Sequence, residues 1–375
     1  MIRICQLITE LAPGGAERAL VELSRRLDRA RFEVRVAALV GGPVADWLAR
    51  EAIPVHVLGV RGKWDVGKLS RLAAFLREGR FDLLHTHLFH ADLAGRPAAR
   101  LAGVPHVVHT IQTAEGRFRP WQFAWARLAD AWCDRLICVS PSVLRHHQRR
   151  SRLSADRYTV IPNGIEVAAY ARDESARRRL RKLWGLGDDR VLLACVGRLE
   201  GEKGTDLLLA AMARLAERGT PMDLVIAGDG RQRPIVEAHI ARGKGGQRCR
   251  LLGFTKDVQA VLSAADVFVM PSRWEGWPLA LAEAMAAGLP AVAFAVAGVS
   301  DLVIDGQTAI LVRPEDPAAL ADGIETLARD RRLRESLGSA ARELARQRCS
   351  IAAVVRAHEA LYEQVVASGR GQRRP

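Results

Sequence analysis

No Cys-x-x-Cys occurs in the 375 residues, and the six cysteines, Cys5, Cys133, Cys138, Cys195, Cys249 and Cys349, lie far apart. That spacing indicates neither a zinc knuckle nor a disulfide scaffold. Cys5, Cys138 and Cys195 fall in apolar runs and read as core thiols. No apolar run approaches the roughly 20 residues needed to cross a bilayer. The run that opens the chain, Met1-Ile-Arg-Ile-Cys-Gln-Leu-Ile-Thr, is too short for a signal peptide. A soluble, cytoplasmic chain is expected, or one peripheral on the inner face of a membrane. Asp-x-Asp is absent, so the carboxylate pair through which a divalent ion commonly grips a diphosphate is missing. Gly-x-Gly-x-x-Gly is also absent, which removes the dinucleotide-binding fingerprint. There is no repeat of solenoid length and no low-complexity tract.

What the chain does have is size and positive charge. Its length exceeds one ordinary core, so two domains are expected. Hydrophobic residues make up 49%, as in a globular protein. Lysine and arginine number 56 against 42 acidic residues, a net charge of +14. That balance favours an anionic partner, whether nucleic acid, a phosphate ligand or an acidic membrane. The basic residues are scattered and no nucleic-acid reader motif appears, so no nucleic acid is expected.

Short apolar runs alternate with helical patterns along the whole chain. Strands are expected at 2–8, 34–39, 55–60, 82–85, 106–111, 136–139 and 159–161 in the first half. In the second half they are expected at 191–196, 224–227, 250–252, 267–270, 291–295 and 309–312. Between them, Leu20, Leu23 and Leu27 recur at helical spacing. Alternation of this kind predicts parallel sheets covered by helices. Pro162-Asn163-Gly164 marks a turn, and the charged segment 174–182 reads as a solvated linker helix. Residues from about 317 to 368 read as almost entirely helical, and 369–375 as a disordered tail. The division expected is 1–168, then 169–350. Because α/β sheets bind at the C-terminal ends of their strands, the cleft between two such domains is the natural ligand site.

One stretch organises the chemistry: Arg273-Trp-Glu-Gly-Trp-Pro-Leu-Ala-Leu-Ala-Glu-Ala-Met-Ala-Ala-Gly-Leu-Pro290. A buried strand precedes it and another follows it. Pro278 suits the first helical position and Gly288 the helix end. Glu275 lies on the loop and Glu283 inside the helix, where a carboxylate among Ala, Leu and Met is costly unless something meets it. Backbone N–H groups of Gly276, Trp277 and Leu279 offer an anion site at the helix start. A sugar nucleotide needs both features: donors for its diphosphate and a carboxylate acceptor for its ribose hydroxyls.

Further motifs fit an anionic ligand, each against a plainer reading. Pro13-Gly14-Gly15-Ala16-Glu17 opens a helix after the first strand; its glycines permit close ligand approach or simply a tight turn. Arg198 and Lys203 flank a glycine-rich loop and can neutralise a diphosphate, or lie on a solvated turn. Ala227-Gly-Asp-Gly230 ends the next strand. His85, His87, His90, His106 and His109 cluster, but His85 and His87 share a strand face and lack acidic or cysteine co-ligands, so no metal is expected. Trp121, Trp125 and Trp132 with Arg117, Arg119, Arg127 and Arg135 either rest on an anionic membrane or pack inward.

Together these pieces resemble the retaining family 4 glycosyltransferases of GT-B fold. The resemblance covers nearly the whole chain and is strongest from Val191 to Val312. It rests on the Gly-Gly-Ala-Glu17 loop, Cys138-Val-Ser140-Pro-Ser, Ile161-Pro-Asn163-Gly-Ile and Val196-Gly-Arg198-Leu-Glu-Gly-Glu-Lys203-Gly. Leu252-Gly253-Phe254 and Glu275-x7-Glu283 complete it.

The resemblance implies two Rossmann-like domains facing across a cleft, with the last helix, from about 351, packing back on the first. It implies that Arg198 and Lys203 bind the donor diphosphate and stabilise the leaving group. Glu283 accepts from the ribose, and Glu275 meets the transferred sugar near Gly276, Trp277 and Leu279. Gly253 and Phe254 join the donor site, Gly15 lies near the diphosphate or acceptor, and Gly14, Gln112 and Asn163 fall on the acceptor side. Many relatives carry a histidine where Gln112 stands; Gln cannot exchange protons at neutral pH. Either His109 takes that role or the role is dispensable.

The expected activity is metal-independent transfer of a sugar from a nucleotide diphosphate donor, UDP- or GDP-linked, to a glycan or lipid-linked acceptor hydroxyl in envelope polysaccharide or glycolipid synthesis. The alternative is a non-catalytic sugar-nucleotide-binding homologue. A pyridoxal-phosphate phosphorylase of similar fold would be longer and would show a Schiff-base lysine motif.

Overall fold

The computed structural model describes the chain except residues 61, 63, 64, 66, 114–119, 130–131, 152, 188–189, 243–248 and 370–375. Arg117, Arg119, the side chain of Arg127 and most of the expected tail therefore lie outside the described residues.

The chain divides into two compact units, Met1–Gly164 with Ile351–Pro375, and Ile165–Ser350. In the first, strands β1 (Ile2–Glu10), β2 (Phe32–Val40), β3 (Val55–Val57), β4 (Leu83–His87), β5 (His106–Ile111), β6 (Arg135–Cys138) and β7 (Tyr158–Val160) form a sheet of order 3-2-1-4-5-6-7. In the second, β8 (Val191–Val196), β9 (Met222–Ala227), β10 (Cys249–Gly253), β11 (Val267–Met270), β12 (Ala291–Phe294) and β13 (Ala309–Val312) run in the order 10-9-8-11-12-13. All pairings are parallel, as strands linked by helical crossovers require. Every strand read from the sequence is present, with ends that differ by a few residues.

The topology decides where ligands can go. In each sheet the strand order reverses once, between β1 and β4 and between β8 and β11. Loops leaving the C-terminal ends of those pairs diverge and leave a crevice. The loops after β1, β8 and β11 are the glycine-rich and Glu275-bearing segments.

The strands are short and apolar because helices cover both faces. Leu193, Val267, Phe268, Val292 and Phe294 are all at most 2% exposed. The last helix, Ile351–Gly369, belongs to the first unit and buries Val354, Leu361, Tyr362 and Val365 against β1 and β4 residues Ile4 and Leu83.

The helix Glu174–Leu183 differs from the solvated linker expected at 174–182. Asp173 caps it by accepting from the N–H groups of Ser175 and Ala176. Arg181 is 2% exposed and donates to Asp266 at 3.0 Å and to the carbonyls of Gly187 and Arg190, both at 2.6 Å. Arg177 holds the other oxygen of Asp266 at 2.7 Å. The charge is there to satisfy a half-buried carboxylate and open carbonyls, so one face of this helix is part of the second unit's fabric. Pro278 also sits one place earlier than expected, as the N-cap of a helix that runs Leu279–Ala286.

Candidate active site

In the second unit, β8 delivers the loop from Gly197 to Gly204, and β11 delivers Pro271 to Pro278. Two arrangements tie these loops together. Arg273 bridges Asp206 with two bonds of 2.9 and 2.7 Å and donates to the Gly201 carbonyl at 2.6 Å. Its backbone N–H reaches the Glu202 carbonyl at 2.8 Å. The bidentate pair pulls the Asp206 carboxyl below its ordinary value and raises the Arg273 guanidinium. Gly204 is left-handed, with φ of +66°, and a Cβ there would lie 1.9 Å from the Pro271 carbonyl oxygen. Only glycine lets the loops close this far.

The closed loops set Lys203 against Glu275. Lys203 Nζ lies 2.6 Å from Glu275 Oε1, and the Ser272 hydroxyl donates to the same oxygen at 2.8 Å. Glu275 is 9% exposed. The helix Ala297–Leu302 backs the loop: a Cβ on Gly298 would come within 2.6 Å of the Gly276 and Glu275 carbonyl oxygens. Arg198 is more open; its side chain is 55% exposed and pairs with Glu202 at 2.9 Å. The structure therefore holds a lysine and a carboxylate in contact, with an exposed arginine beginning the same loop.

Around this pair lie the other residues singled out in the sequence. Leu281 and Ala282 donate to the Pro278 carbonyl, so the N–H groups of Leu279 and Ala280 precede the first intrahelical bonds. Trp277 is half-buried, and its indole N–H is buried without a protein acceptor. Glu283 is 2% exposed and accepts from the Tyr170 hydroxyl at 3.1 Å. That hydroxyl belongs to the same unit. Gly253 ends β10 with φ of +71°, accepts from the Gly228 N–H at 2.8 Å, and leaves Phe254 54% exposed. Sequence reasoning does not single out Ser272, Tyr170 or the Arg273–Asp206 clamp. Only their place beside the Glu275 loop could mark Arg273 and Ser272, and nothing local marks Tyr170.

The first unit carries a second group of polar residues, at the C-terminal ends of β4 and β5. Gly14 extends the chain after β1 and Gly15 begins the helix Gly15–Arg26. Gln112 Oε1 accepts from Asn163 Nδ2 at 2.9 Å. Both line a small cavity with His87, Thr110 and His358, floored by Leu23 and Val354. His109 points the other way. Its Nδ1 lies 2.9 Å from the Thr86 hydroxyl and 3.1 Å from Asp92, which Arg96 holds at 2.6 Å. Burial pushes the Asp92 carboxyl up, but Arg96, His109 and Thr86 together hold it below its ordinary value. Successive strand residues face opposite sides, so His109 and Thr110 take different faces of β5, and Gln112, just beyond the strand, lines the cavity with Thr110.

The tryptophans divide. Trp125 and Trp132 meet edge to face at 6.1 Å, with the Arg100 guanidinium 5.8 Å from the Trp132 ring. Trp121 stays 53% exposed, edge-on to Phe89. Among the described residues, no helix is long and apolar enough to cross a membrane.

Two family models match the chain: "Glycosyltransferase Family 4" over residues 13–169 and "Glycosyl transferases group 1" over residues 176–344. A D-inositol 3-phosphate glycosyltransferase of Thermomonospora curvata is 31% identical over 88% of this chain and 85% of its own. An Escherichia coli UDP-Gal:alpha-D-GlcNAc-diphosphoundecaprenol alpha-1,3-galactosyltransferase is 28% identical over 81% of this chain and 82% of its own. Among solved structures, HepE of Anabaena in complex with UDP and glucose superposes with a TM-score of 0.87 at 22% identity, over 97% of this chain and all of the other. The fold they share is two Rossmann-like parallel-sheet units, the GT-B architecture.

Proposed function

The chain belongs to the family 4 glycosyltransferases, and on that premise we propose that it moves a sugar from a nucleotide diphosphate donor to an acceptor hydroxyl with retention at the anomeric carbon. The observation that carries this is the Lys203–Glu275 pair at the switch point of the second sheet. A diphosphate arriving there draws Lys203 toward its own charge, joined by Arg198 from the exposed end of the loop. Glu275, released from the lysine and still held by Ser272, then faces the transferred sugar. Charge developing on the departing diphosphate is met by two preplaced cations, the largest single term in reactions of this kind. Their positive charge does the work for which other enzymes use a metal, and transfer proceeds without one.

Glu283, whose Oε1 accepts from the Tyr170 hydroxyl, takes the ribose hydroxyls. Gly276, Trp277 and Leu279 supply N–H groups, and Phe254 covers one side of the donor. On the acceptor side we place Gly14, Gly15, Gln112 and Asn163. His109, turned to Asp92, positions the sheet beneath them and does not replace a histidine at 112. A UDP- or GDP-sugar as donor is supported by the UDP named in the HepE complexes. A glycan or lipid-linked acceptor, in envelope polysaccharide or glycolipid synthesis, is supported by the acceptor named for the E. coli relative. Exposed Trp121 suits contact with an anionic membrane surface.

The test is a panel of UDP-, GDP- and ADP-sugars, read by melting-temperature shift and by sugar transfer. A bound donor stabilises the fold by about 2.7 kcal/mol at a hundredfold excess over its Kd. Binding with neither transfer nor hydrolysis would favour a non-catalytic binder, and no binding would refute the reading.

A further inference from the structure

The cavity under Gln112 and Asn163 has a wiring that the activity above does not use. Five side chains form one chain of hydrogen bonds. His87 Nε2 meets Gln6 Oε1 at 2.7 Å, and Gln6 Nε2 meets the Tyr362 hydroxyl at 3.1 Å. That hydroxyl meets His85 Nδ1 at 2.7 Å, and His85 Nε2 meets the Thr110 hydroxyl at 2.7 Å.

The direction of this chain follows from one residue. The Gln6 amide oxygen can only accept, so His87 carries its proton on Nε2. The amide nitrogen donates to Tyr362, and among the described residues the acceptor left for the buried Tyr362 proton is His85 Nδ1. His85 in turn is protonated on Nε2 and donates to Thr110. Two ends are left over, and both belong to residues that line the cavity. One is His87 Nδ1, a bare lone pair, buried and without a protein partner. The other is the Thr110 hydroxyl proton. In the β4–β5 register His87 stands directly opposite Thr110, so the two side chains rise from neighbouring strands roughly 4.8 Å apart.

We propose that His87 Nδ1 and the Thr110 hydroxyl are a preset acceptor and donor that together take one uncharged hydroxyl of the acceptor sugar. This rests on the reading of the first unit as the acceptor side. An unpaired buried imidazole nitrogen is costly, about 1–3 kcal/mol, and a hydroxyl is the group that both accepts from Thr110 and donates to His87. The cavity has room of about 20 Å³, and a single hydroxyl or water needs roughly 10–15 Å³. The rest of the sugar ring then lies toward Gln112 and Asn163. Charge decides against an anion here. Burial pushes His87 down to about 3 and His358 to about 4, and His85 lies well below its ordinary value. His358, which donates from Nδ1 to the Val354 carbonyl at 2.9 Å, is likewise a neutral ring. A phosphate would meet no cation among these rings.

Two-bond proton–nitrogen NMR on protein labelled with [15N]histidine tests this. His87 is expected to be protonated on Nε2 and neutral between about pH 5 and 8, where an ordinary imidazole titrates. With UDP or GDP saturating, methyl glycosides of glucose, galactose, mannose and N-acetylglucosamine are added in turn. At least one should move the Nδ1 resonance of His87, and inorganic phosphate should leave it in place. Thr110→Val should abolish the response and Thr110→Ser should keep it. A proton on Nδ1, or an Nδ1 resonance that no glycoside moves, overturns the proposal and leaves a structural water as the occupant. Failure of the underlying donor reading shows separately, as absence of any UDP or GDP binding. The glycosides are then titrated into the free protein, where a moved Nδ1 resonance supports the proposal and an unmoved one overturns it.

Discussion

Burying three neutral histidines in the first unit makes its stability depend on pH more steeply than that of the second, where burial lowers only the partly buried His239 among the described histidines. His87 and His358 are fully buried and pushed by that burial to about 3 and about 4, and His85 falls in the same direction. In the unfolded chain each returns to about 6.5. Above that value both states are neutral and the groups contribute nothing to the pH dependence. Below it the unfolded state takes up protons that the folded state refuses, so stability falls as pH drops and levels off only near the folded values. At about pH 5 the gap is about 1.5 units, or about 2 kcal/mol for each histidine, hence about 4 kcal/mol for His87 and His358 together. That is a large share of the 5–15 kcal/mol typical of a domain. Asp92, held below its ordinary value, gives up its contribution only at lower pH, so this window isolates the imidazoles. Hydrogen exchange read by mass spectrometry at about pH 7.5 and about pH 5, corrected for the intrinsic rate, should show β4, β5 and the helix Ile351–Gly369 losing protection. Strands β8 and β11, which carry no histidine, should change far less. The slope with pH should shrink by roughly half of the two-histidine effect in His358→Gln, whatever that variant's absolute stability. Equal pH sensitivity in both units, or an unchanged slope in His358→Gln, would show that the buried imidazoles do not set the pH dependence.

Three other outcomes follow from the geometry. Glu283→Ala should weaken nucleoside diphosphate binding by roughly 1.5–3 kcal/mol by calorimetric titration, whereas Tyr170→Phe should weaken it less; a change in melting temperature alone for Glu283→Ala would assign that carboxylate to packing with Tyr170. If Arg198 and Lys203 balance the diphosphate as proposed, transfer should persist in EDTA; loss on chelation that magnesium or manganese restores would contradict this. The protein should pellet with anionic vesicles and be released by salt, since exposed charge attraction is screened, and Trp121→Ala should reduce the binding; equal binding to neutral vesicles would count against an electrostatic surface.

The fold was legible because buried parallel strands are continuous apolar runs, as in Val267–Met270 and Ala291–Phe294, and the glycines of the β8 loop mark where backbone must pass close. The meeting of the Lys203 and Glu275 loops was legible in part for the same reason: both residues sit on segments that strand ends and glycines announce. What sequence could not supply was pairing at a distance. Arg181 and Arg177 read as solvated charge until Asp266 appears beneath them, 85 and 89 residues away. Gln6 and Tyr362 lie 356 positions apart, so no spacing rule joins them. The histidine cluster suggested at most a poor metal site, since its hydroxyl and amide partners belong to different elements. His109 looked interchangeable with Gln112 in a linear register, but His109 meets Thr86 and Asp92 while Gln112 lines the cavity.

Under the proposed function, Glu275 acts where charge develops in the reaction and Lys203 belongs to the diphosphate. The most direct test is steady-state kinetics of Glu275→Gln beside calorimetric titration of the nucleoside diphosphate. The glutamine keeps the size of the side chain and the Ser272 bond while removing the charge. The expected kcat is reduced by roughly a hundredfold or more with nucleotide affinity little changed, the pattern of an interaction stronger in the transition state than in the bound donor. An unchanged kcat, or an affinity that falls in step with kcat, would contradict it.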